Sequence, residues 1–431
     1  MLPRLPSPPS TWRRIQTAWG LPDLVGQGRF VTAHLIDSLG NGLVMAFTVV
    51  FFVKTTSLPL VAVGAALTTG QLLALPVPPV IGPLLDRYGP RAVVAAGNWL
   101  SVAGFIGFLF AHAVWQIVVW QFVVQLGATA FWMGSSPLVV LVTRGVERAR
   151  WFGFVRALRN VGVGFGGAVS AVALSMGTVA GLRAVMVINV VSFAVAGWLV
   201  ITLRAADTDA VAGAGPAEPE RTAGEPAGGT SGGYRAVLKD TQYLRLVAAN
   251  ISFVFASTAL TVLLAVYATD DLGVGGWIVG VFVVLNTAMV ALLQTLASRW
   301  IEAHRPTAVL VLALLFNTAA FIVFGTLLVL PGRAVIVGLL IAMVLYTVGE
   351  ILGSPPTGEL SVVMAPEELR GRYLGVYQLS WSVGGALAPA LLTALSQGGA
   401  ALPWVFLATI SLLAVPLVLG LDGEASTKPG S

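Results

Sequence analysis

Charge is missing from long tracts of this sequence, and that absence constrains the fold more than any other feature. Eight tracts hold no Asp, Glu, Lys or Arg: Thr55–Leu85, Ala92–Thr143, Asn160–Leu182, Ala184–Leu203, Leu246–Thr269, Leu272–Ser298, Pro306–Gly332 and Tyr373–Leu421. A helix that crosses a bilayer needs about 20 predominantly apolar residues. Ala92–Thr143 and Tyr373–Leu421 are each long enough for two such helices, with natural breaks near Ala111–Ala113 and Gln397–Leu402. Allowing one acid in each adds Phe30–Val53, which contains Asp37, and Ala334–Gly358, which contains Glu350. The expectation is an all-α membrane protein with twelve transmembrane helices. Composition agrees: 10% of the 431 residues are charged and 57% are apolar, where soluble domains carry about 25% charged residues.

The distribution of positive charge orients the spans, because cytoplasmic loops retain Lys and Arg. With both termini inside, only Lys54, Arg183 and Arg333 of the 24 basic residues fall outside. The net charge of +5 is then a membrane-orientation signal and not a nucleic-acid footprint. The segment 1–29 has no apolar stretch of signal-peptide type, and its expected place is the cytoplasm. Cysteine is absent, which removes disulfides and thiolate chemistry. The histidines His34, His112 and His304 stand in no metal-ligand spacing.

The longest polar interruption, 204–245, contains the Gly/Pro/Ala-rich stretch Ala212–Gly233 and reads as a cytoplasmic linker, partly disordered. It separates a bundle at 30–203 from a bundle at 246–421, with a cytoplasmic tail at 422–431. The two halves look related. Trp132–Pro137 parallels Ile351–Pro356, and Arg148-Ala149-Arg150-Trp151 parallels Arg370-Gly371-Arg372-Tyr373. Two six-helix bundles related by a parallel repeat form a secondary-transporter architecture, with the substrate site near the midplane between them.

Between the second and third spans lies Gly82-Pro83-Leu84-Leu85-Asp86-Arg87-Tyr88-Gly89-Pro90-Arg91. Gly82 permits close helix approach and Gly89 permits a turn with positive φ. Asp86 can face a helix N-terminus, where an anion is favourable. This segment resembles the G-x-L-x-D-R-x-G-x-R loop motif of the major facilitator superfamily, and the resemblance extends over nearly the whole chain. The passage Ala365–Trp381 (APEELRGRYLGVYQLSW) resembles the drug:proton antiporters of that family. The resemblance implies the major facilitator fold and a cytoplasmic gating role for Gly82, Asp86, Arg87, Gly89 and Arg91. In that role Asp86 would latch against Gly371–Tyr373. The second-half copy, Leu296–Arg305 (LASRWIEAHR), keeps basic ends but lacks the Asp-Arg pair. The fourth span, with Gln121–Gly127 (QFVVQLG), lacks the family's arginine, and the fifth, with Asn160–Gly167 (NVGVGFGG), has glycines but no Gly-Pro step.

An ionisable side chain at membrane depth costs about 2.5–3.5 kcal/mol on insertion scales, so Asp37 and Glu350 need a reason to be there. His34, Asp37 and Asn41 share one helical face at i, i+3, i+7. Such a stripe can carry a proton, because burial favours the neutral carboxyl. The expected proton-coupling residues are therefore Asp37, Glu350 and His34. Asn41, Gln125, Asn286, Gln378 and Trp381 are the expected substrate-cavity contacts. Arg156 and Arg159 begin the fifth span and are expected to snorkel to the inner headgroups. With no mid-span Lys or Arg, anionic substrates are disfavoured.

Together these readings predict proton-coupled efflux of lipophilic drugs or small metabolites across the cytoplasmic membrane by alternating access. The expected partners are a small-molecule substrate, protons and the lipid bilayer, with the chain acting as a monomer. Neither nucleic acid, nor a metal, nor a cofactor beyond the proton motive force is called for, and no catalytic machinery of an enzyme is evident. The alternatives are a proton-coupled importer on the same fold and a transport-inactive membrane scaffold or sensor.

Overall fold

The structure, a computed structural model, describes residues 21–22, 24, 26–45, 48–143, 148–175, 178–203, 233–275 and 277–421. Arg144, residues 204–232 of the expected linker and the tail 422–431 lie outside these, as does 1–20. Every regular element among the described residues is helical. In the N-terminal half these are α1 (Gly28–Met45), α2 (Thr48–Thr55), α3 (Leu60–Leu73), α4 (Val77–Phe110), α5 (Val114–Val142), α6 (Arg148–Ser175) and α7 (Val179–Ile201). In the C-terminal half they are α8 (Gly233–Lys239), α9 (Thr241–Val262), α10 (Trp277–Glu302), α11 (Pro306–Thr326), α12 (Gly332–Val363), α13 (Arg370–Gly398) and α14 (Leu402–Leu419).

Nine helices among the described residues are long and apolar enough to cross a membrane. The bent pair Gly28–Val44 and Thr48–Thr55, inclined by 51°, makes ten if it is one span. One difference from the sequence expectation has a local cause. The tract Thr55–Leu85 is broken between α3 and α4, where Pro76, Pro78 and Pro79 remove backbone donors and disfavour helix at the residue before each. Within α4 two helices meet at a kink in the loop motif, at Gly89, whose φ of 74° and ψ of 168° lie outside the helical region, where the sequence expectation places the boundary between two spans. The expected breaks near Ala111–Ala113 and Gln397–Leu402 coincide with the ends of α4 and α13.

The described part of the expected linker carries secondary structure. Residues 233–239 are helical, and Asp240 caps α9 by accepting a hydrogen bond from Tyr243 N at 3.0 Å. The second oxygen of Asp240 accepts from Tyr373 Oη at 3.0 Å, which ties this corner to α13.

Each half has its own apolar core. One cluster gathers Leu43, Phe52, Phe105, Phe108, Met186 and Phe193. Another gathers Phe282, Phe321, Phe324, Tyr346, Leu392 and Trp404. A smaller cluster crosses between halves, packing Val77, Ile81, Leu85 and Met133 with Val362 and Leu374. The outer faces remain apolar: Val61 and Val329 are more than four-fifths exposed, and Phe110, Trp115 and Phe165 also point outward. Such a surface is suited to lipid.

Candidate functional site

A cavity of about 380 Å³ lies between the halves. From the N-terminal half α1 lends His34 and Ser38, α5 lends Phe131 to Val139, and α6 lends Phe152, Arg156 and Arg159. From the other half α9 supplies Ser257, α12 supplies Glu350 to Ser361, and α13 supplies Tyr377, Gln378 and Trp381. A second pocket of about 70 Å³ adjoins it at Arg156, Ser257 and Glu350 and reaches Asn250 and Asn317.

Close helix approach builds the N-terminal wall. A methyl group on Gly162 of α6 would lie 3.0 Å from the Leu35 carbonyl and 2.7 Å from Ser38 Cβ of α1. Only glycine allows that approach, and it draws Arg159, one turn earlier on α6, towards the face of α1 that carries Asp37. The Asp37 carboxyl is sealed, with 2% of the residue exposed. Its Oδ2 accepts from Asn41 Nδ2 at 3.1 Å, its Oδ1 has no hydrogen-bond partner, and the Arg159 charge acts on it. Arg159 lies over the Trp132 ring, 4.8 Å from its centroid. His34 is also buried. Its Nδ1 donates to the Phe30 carbonyl at 3.1 Å, since a carbonyl only accepts, and its Nε2 meets Ser135 Oγ at 3.3 Å.

Glu350 is held differently. Its Oε1 pairs with Arg156 Nη2 across the two halves, and its Oε2 accepts from Asn286 Nδ2 of α10 at 2.8 Å. Asn286 also donates to Thr347 Oγ1 at 3.1 Å. The carboxylate is thus gripped from the opposite half and from a neighbouring helix of its own.

The sequence expectations meet this geometry unevenly. Asp37, His34 and Asn41 do stand on one face, but Asn41 is spent on Asp37 and is absent from the cavity wall. Gln378 and Trp381 line the cavity, whereas Gln125 does not. Asn286 reaches Glu350 and not the cavity surface. The expectation for the α6 arginines is corrected. Helix α6 starts at Arg148, about two turns before Arg156, and Arg156 and Arg159 turn into the cavity between the halves. The exclusion of anions falls with it, because cationic side chains do face the cavity.

Two contacts join the halves at the arginine-rich end, at the place expected for a latch. In the first, Asp86 Oδ1 accepts from Gly371 N at the start of α13, and Oδ2 lies 3.4 Å from Arg372 Nη1. Gly82 permits the contact: a methyl group there would lie 2.8 Å from the Gly371 carbonyl and 2.6 Å from Tyr234 Oη. Tyr234 of α8 donates to the Pro79 carbonyl, and burial pushes its phenol up to about 12, with the Asp86 carboxylate adding to the rise. Arg91 and Arg29 cap the end of α7, donating to the Ile201 carbonyl at 3.4 Å and the Thr202 carbonyl at 3.0 Å. Arg87 lies over the Tyr88 ring.

The second contact was hidden in the degraded copy of the motif. Glu302, at the end of α10, pairs with Arg150 Nε at 2.6 Å and accepts from Arg150 N at 3.2 Å, at the start of α6. An acid on one half thus meets the N-terminus of a helix on the other half, twice. Among the described residues no group of three or more acids and histidines is placed to hold a metal.

Comparison with known proteins places this geometry. A family model described as Major Facilitator Superfamily matches residues 30–389 and again 246–430. The multidrug resistance protein MdtH of Cronobacter sakazakii is 26% identical over 395 residues, covering 88% of this chain and 90% of the relative. The protein of the same name from Klebsiella pneumoniae is 24% identical over 401 residues, covering 90% of this chain and 94% of its own. Among solved structures, a bacterial homologue of the iron transporter ferroportin, in an outward-facing state with soaked iron, superposes with a TM-score of 0.73. It is 15% identical and covers 92% of this chain and 98% of its own, so the likeness is one of fold.

Proposed function

The chain belongs to the Major Facilitator Superfamily, a family of membrane transporters and not of enzymes, and on that premise we propose that it exports lipophilic drugs or small metabolites in exchange for protons. The observation that carries the proposal is the Arg156–Glu350 pair, whose two members belong to opposite halves of the cavity. When Glu350 takes a proton from outside, the attraction across the halves is lost. When the proton leaves inward, the attraction returns. Proton occupancy and the relative position of the halves are then one equilibrium, as alternating access requires. The relatives named as multidrug resistance proteins support export as the direction.

On this reading the membrane is the cytoplasmic one, the arginine-rich end faces inward with both termini, and the chain is a monomer of twelve spans. Dividing α4 at Gly89, with α3 counted into its first part, raises the ten to eleven, and α6, 28 residues long, supports the twelfth. Asp37 and His34 relay or balance the proton, and Gln378 and Trp381 touch substrate. The driving force is adequate: one charge moved through about 150 mV supplies about 3.5 kcal/mol, enough for a gradient of about 300-fold in a neutral substrate.

Dye efflux from cells expressing the chain tests the proposal. Extrusion that a protonophore abolishes, and that Glu350→Gln removes at unchanged expression, is the expected outcome. Extrusion indifferent to the protonophore would overturn it. Import remains the second reading, because Arg156 and Arg159 give the cavity the paired basic residue that an importer of acidic solutes needs.

A further inference from the structure

The cavity wall carries more positive than negative charge. Arg156 and Arg159 both line it, and Glu350 is the one acid beside them. Arg156 pairs with Glu350, whereas Arg159 makes none of the ion pairs found among the described residues and rests on Trp132. Asp37 acts on Arg159 by charge alone, is buried and is not part of the cavity wall. Arg156 Nε is buried with no hydrogen-bond partner. Two guanidinium groups one helical turn apart therefore have unused donors, and each fork suits a planar oxyanion. Phe131, Trp132 and Trp381 offer aromatic surface beside them.

We propose that the cavity binds an amphipathic organic anion, its acidic head on Arg159 and Arg156 and its apolar body against the aromatic wall, and that Glu350 takes up a proton as it binds. The proposal rests on the transport reading of the cavity and specifies its ligand chemistry. Glu350 at present stands in for the ligand's head. An incoming carboxylate, sulfonate or phosphate ester takes the Arg156 donors and leaves Glu350 beside a second negative charge. A proton taken up from water by Glu350 then balances the added charge, and the carboxyl keeps its one hydrogen bond from Asn286. One anion and one proton arrive together, and the net charge of the cavity is unchanged.

The charged and titratable groups around Glu350 are few. Arg156 and Arg159 of α6 line the same cavity, as does Tyr377 of α13; Tyr346 lies one turn earlier on α12, and Asp37 acts on Arg159 from α1 with His34 a turn away. Arginine and tyrosine ordinarily keep their protons through the neutral range. That leaves Glu350, Asp37 and His34 as sources of a change, and Glu350→Gln assigns it. A consequence follows for coupling. An anion is moved with the proton, whereas a cationic or neutral substrate that competes for Glu350 is moved against it.

Calorimetry on the full chain in phosphatidylcholine nanodiscs tests this, with 2-naphthoate, 2-naphthamide and 2-naphthylmethylammonium as probes. Titration in two buffers of different ionisation enthalpy counts the protons taken up. The expected result is naphthoate bound about tenfold or more tighter than either analogue, a charged hydrogen bond being worth that much or more, with uptake approaching one proton near neutral pH. Arg159→Ala should lower naphthoate affinity about tenfold and spare the amide, whose retained binding shows that the variant is folded. Glu350→Gln should keep naphthoate binding and lose the proton uptake. Equal binding of acid and amide, an unchanged affinity in Arg159→Ala, or proton uptake that survives Glu350→Gln would each overturn the proposal. Protonophore-sensitive dye export in a chain with no preference for naphthoate would sink this inference alone and leave the export reading intact.

Discussion

Asp37 and Glu350 are both acids inside apolar helices, yet the fold treats them in opposite ways. Asp37 belongs to one half only: its helix supplies its hydrogen bond through Asn41, and one carboxyl oxygen has no hydrogen-bond partner. Glu350 sits where the halves meet, with one oxygen on Arg156 of the other half and one on Asn286. Leaving a buried polar atom unpaired costs about 1–3 kcal/mol, so Asp37 is a local expense borne by the N-terminal bundle. The charge state of Glu350, in contrast, bears directly on how the bundles sit. An acid within a half tunes that half, and an acid across the gap between halves can drive them.

The comparison breaks most sharply at Glu350. Glu350→Gln should lower protonophore-sensitive efflux about tenfold or more, because charged hydrogen bonds are worth about 1.5–3 kcal/mol. Arg156→Gln should do the same, and the double variant should be little worse than either alone. A double-mutant cycle on efflux rates should return a coupling of about 0.5–3 kcal/mol, and strict additivity would mean that the pair does not act as a unit.

Asp37→Asn comes next, with a partial loss of efflux at unchanged expression and an unchanged dependence on external pH. A full loss in Asp37→Asn combined with normal efflux in Glu350→Gln would invert the comparison.

The two contacts at the arginine-rich end should give smaller effects. The chain has no native cysteine, so Ser257→Cys in the cavity wall is a clean reporter of access from the arginine-rich end. Asp86→Asn or Glu302→Gln should raise its labelling rate several-fold, about 1 kcal/mol being a factor of five, and the two together should raise it further. Tyr234→Phe, which loses only the hydrogen bond to the Pro79 carbonyl, should change the same rate by about fivefold, the effect of about 1 kcal/mol.

Much of this was legible from residues. An acid in an apolar tract has to be explained, which singles out Asp37 and Glu350, and Gly82 points to a close helix approach, which the family resemblance puts near Gly371. What escaped has physical causes. Arg156 and Arg159 stand at the edge of an apolar tract, where a long cationic side chain usually reaches for headgroups. Only the fold shows them turned into the cavity. The signal that could have found them is their own spacing: one turn apart, with Gly162 one turn further on, as though that face had to meet another helix. Glu302 escaped because aligning the two loop copies puts Trp300 opposite Asp86 and the acid two positions later. A helix end tolerates that shift; a sequence pattern does not. The Arg156–Glu350 pair links positions 194 apart in the chain, and no single-sequence periodicity reports such a contact.

The most direct test of proton coupling across the Arg156–Glu350 pair is dye accumulation in proteoliposomes under an imposed pH gradient, comparing the unmodified chain with Glu350→Gln and Asp37→Asn. The expected result is uphill accumulation by the unmodified chain, weaker uphill accumulation by Asp37→Asn, and downhill equilibration only by Glu350→Gln. Uphill accumulation by Glu350→Gln at the unmodified rate would contradict it and move the coupling site elsewhere.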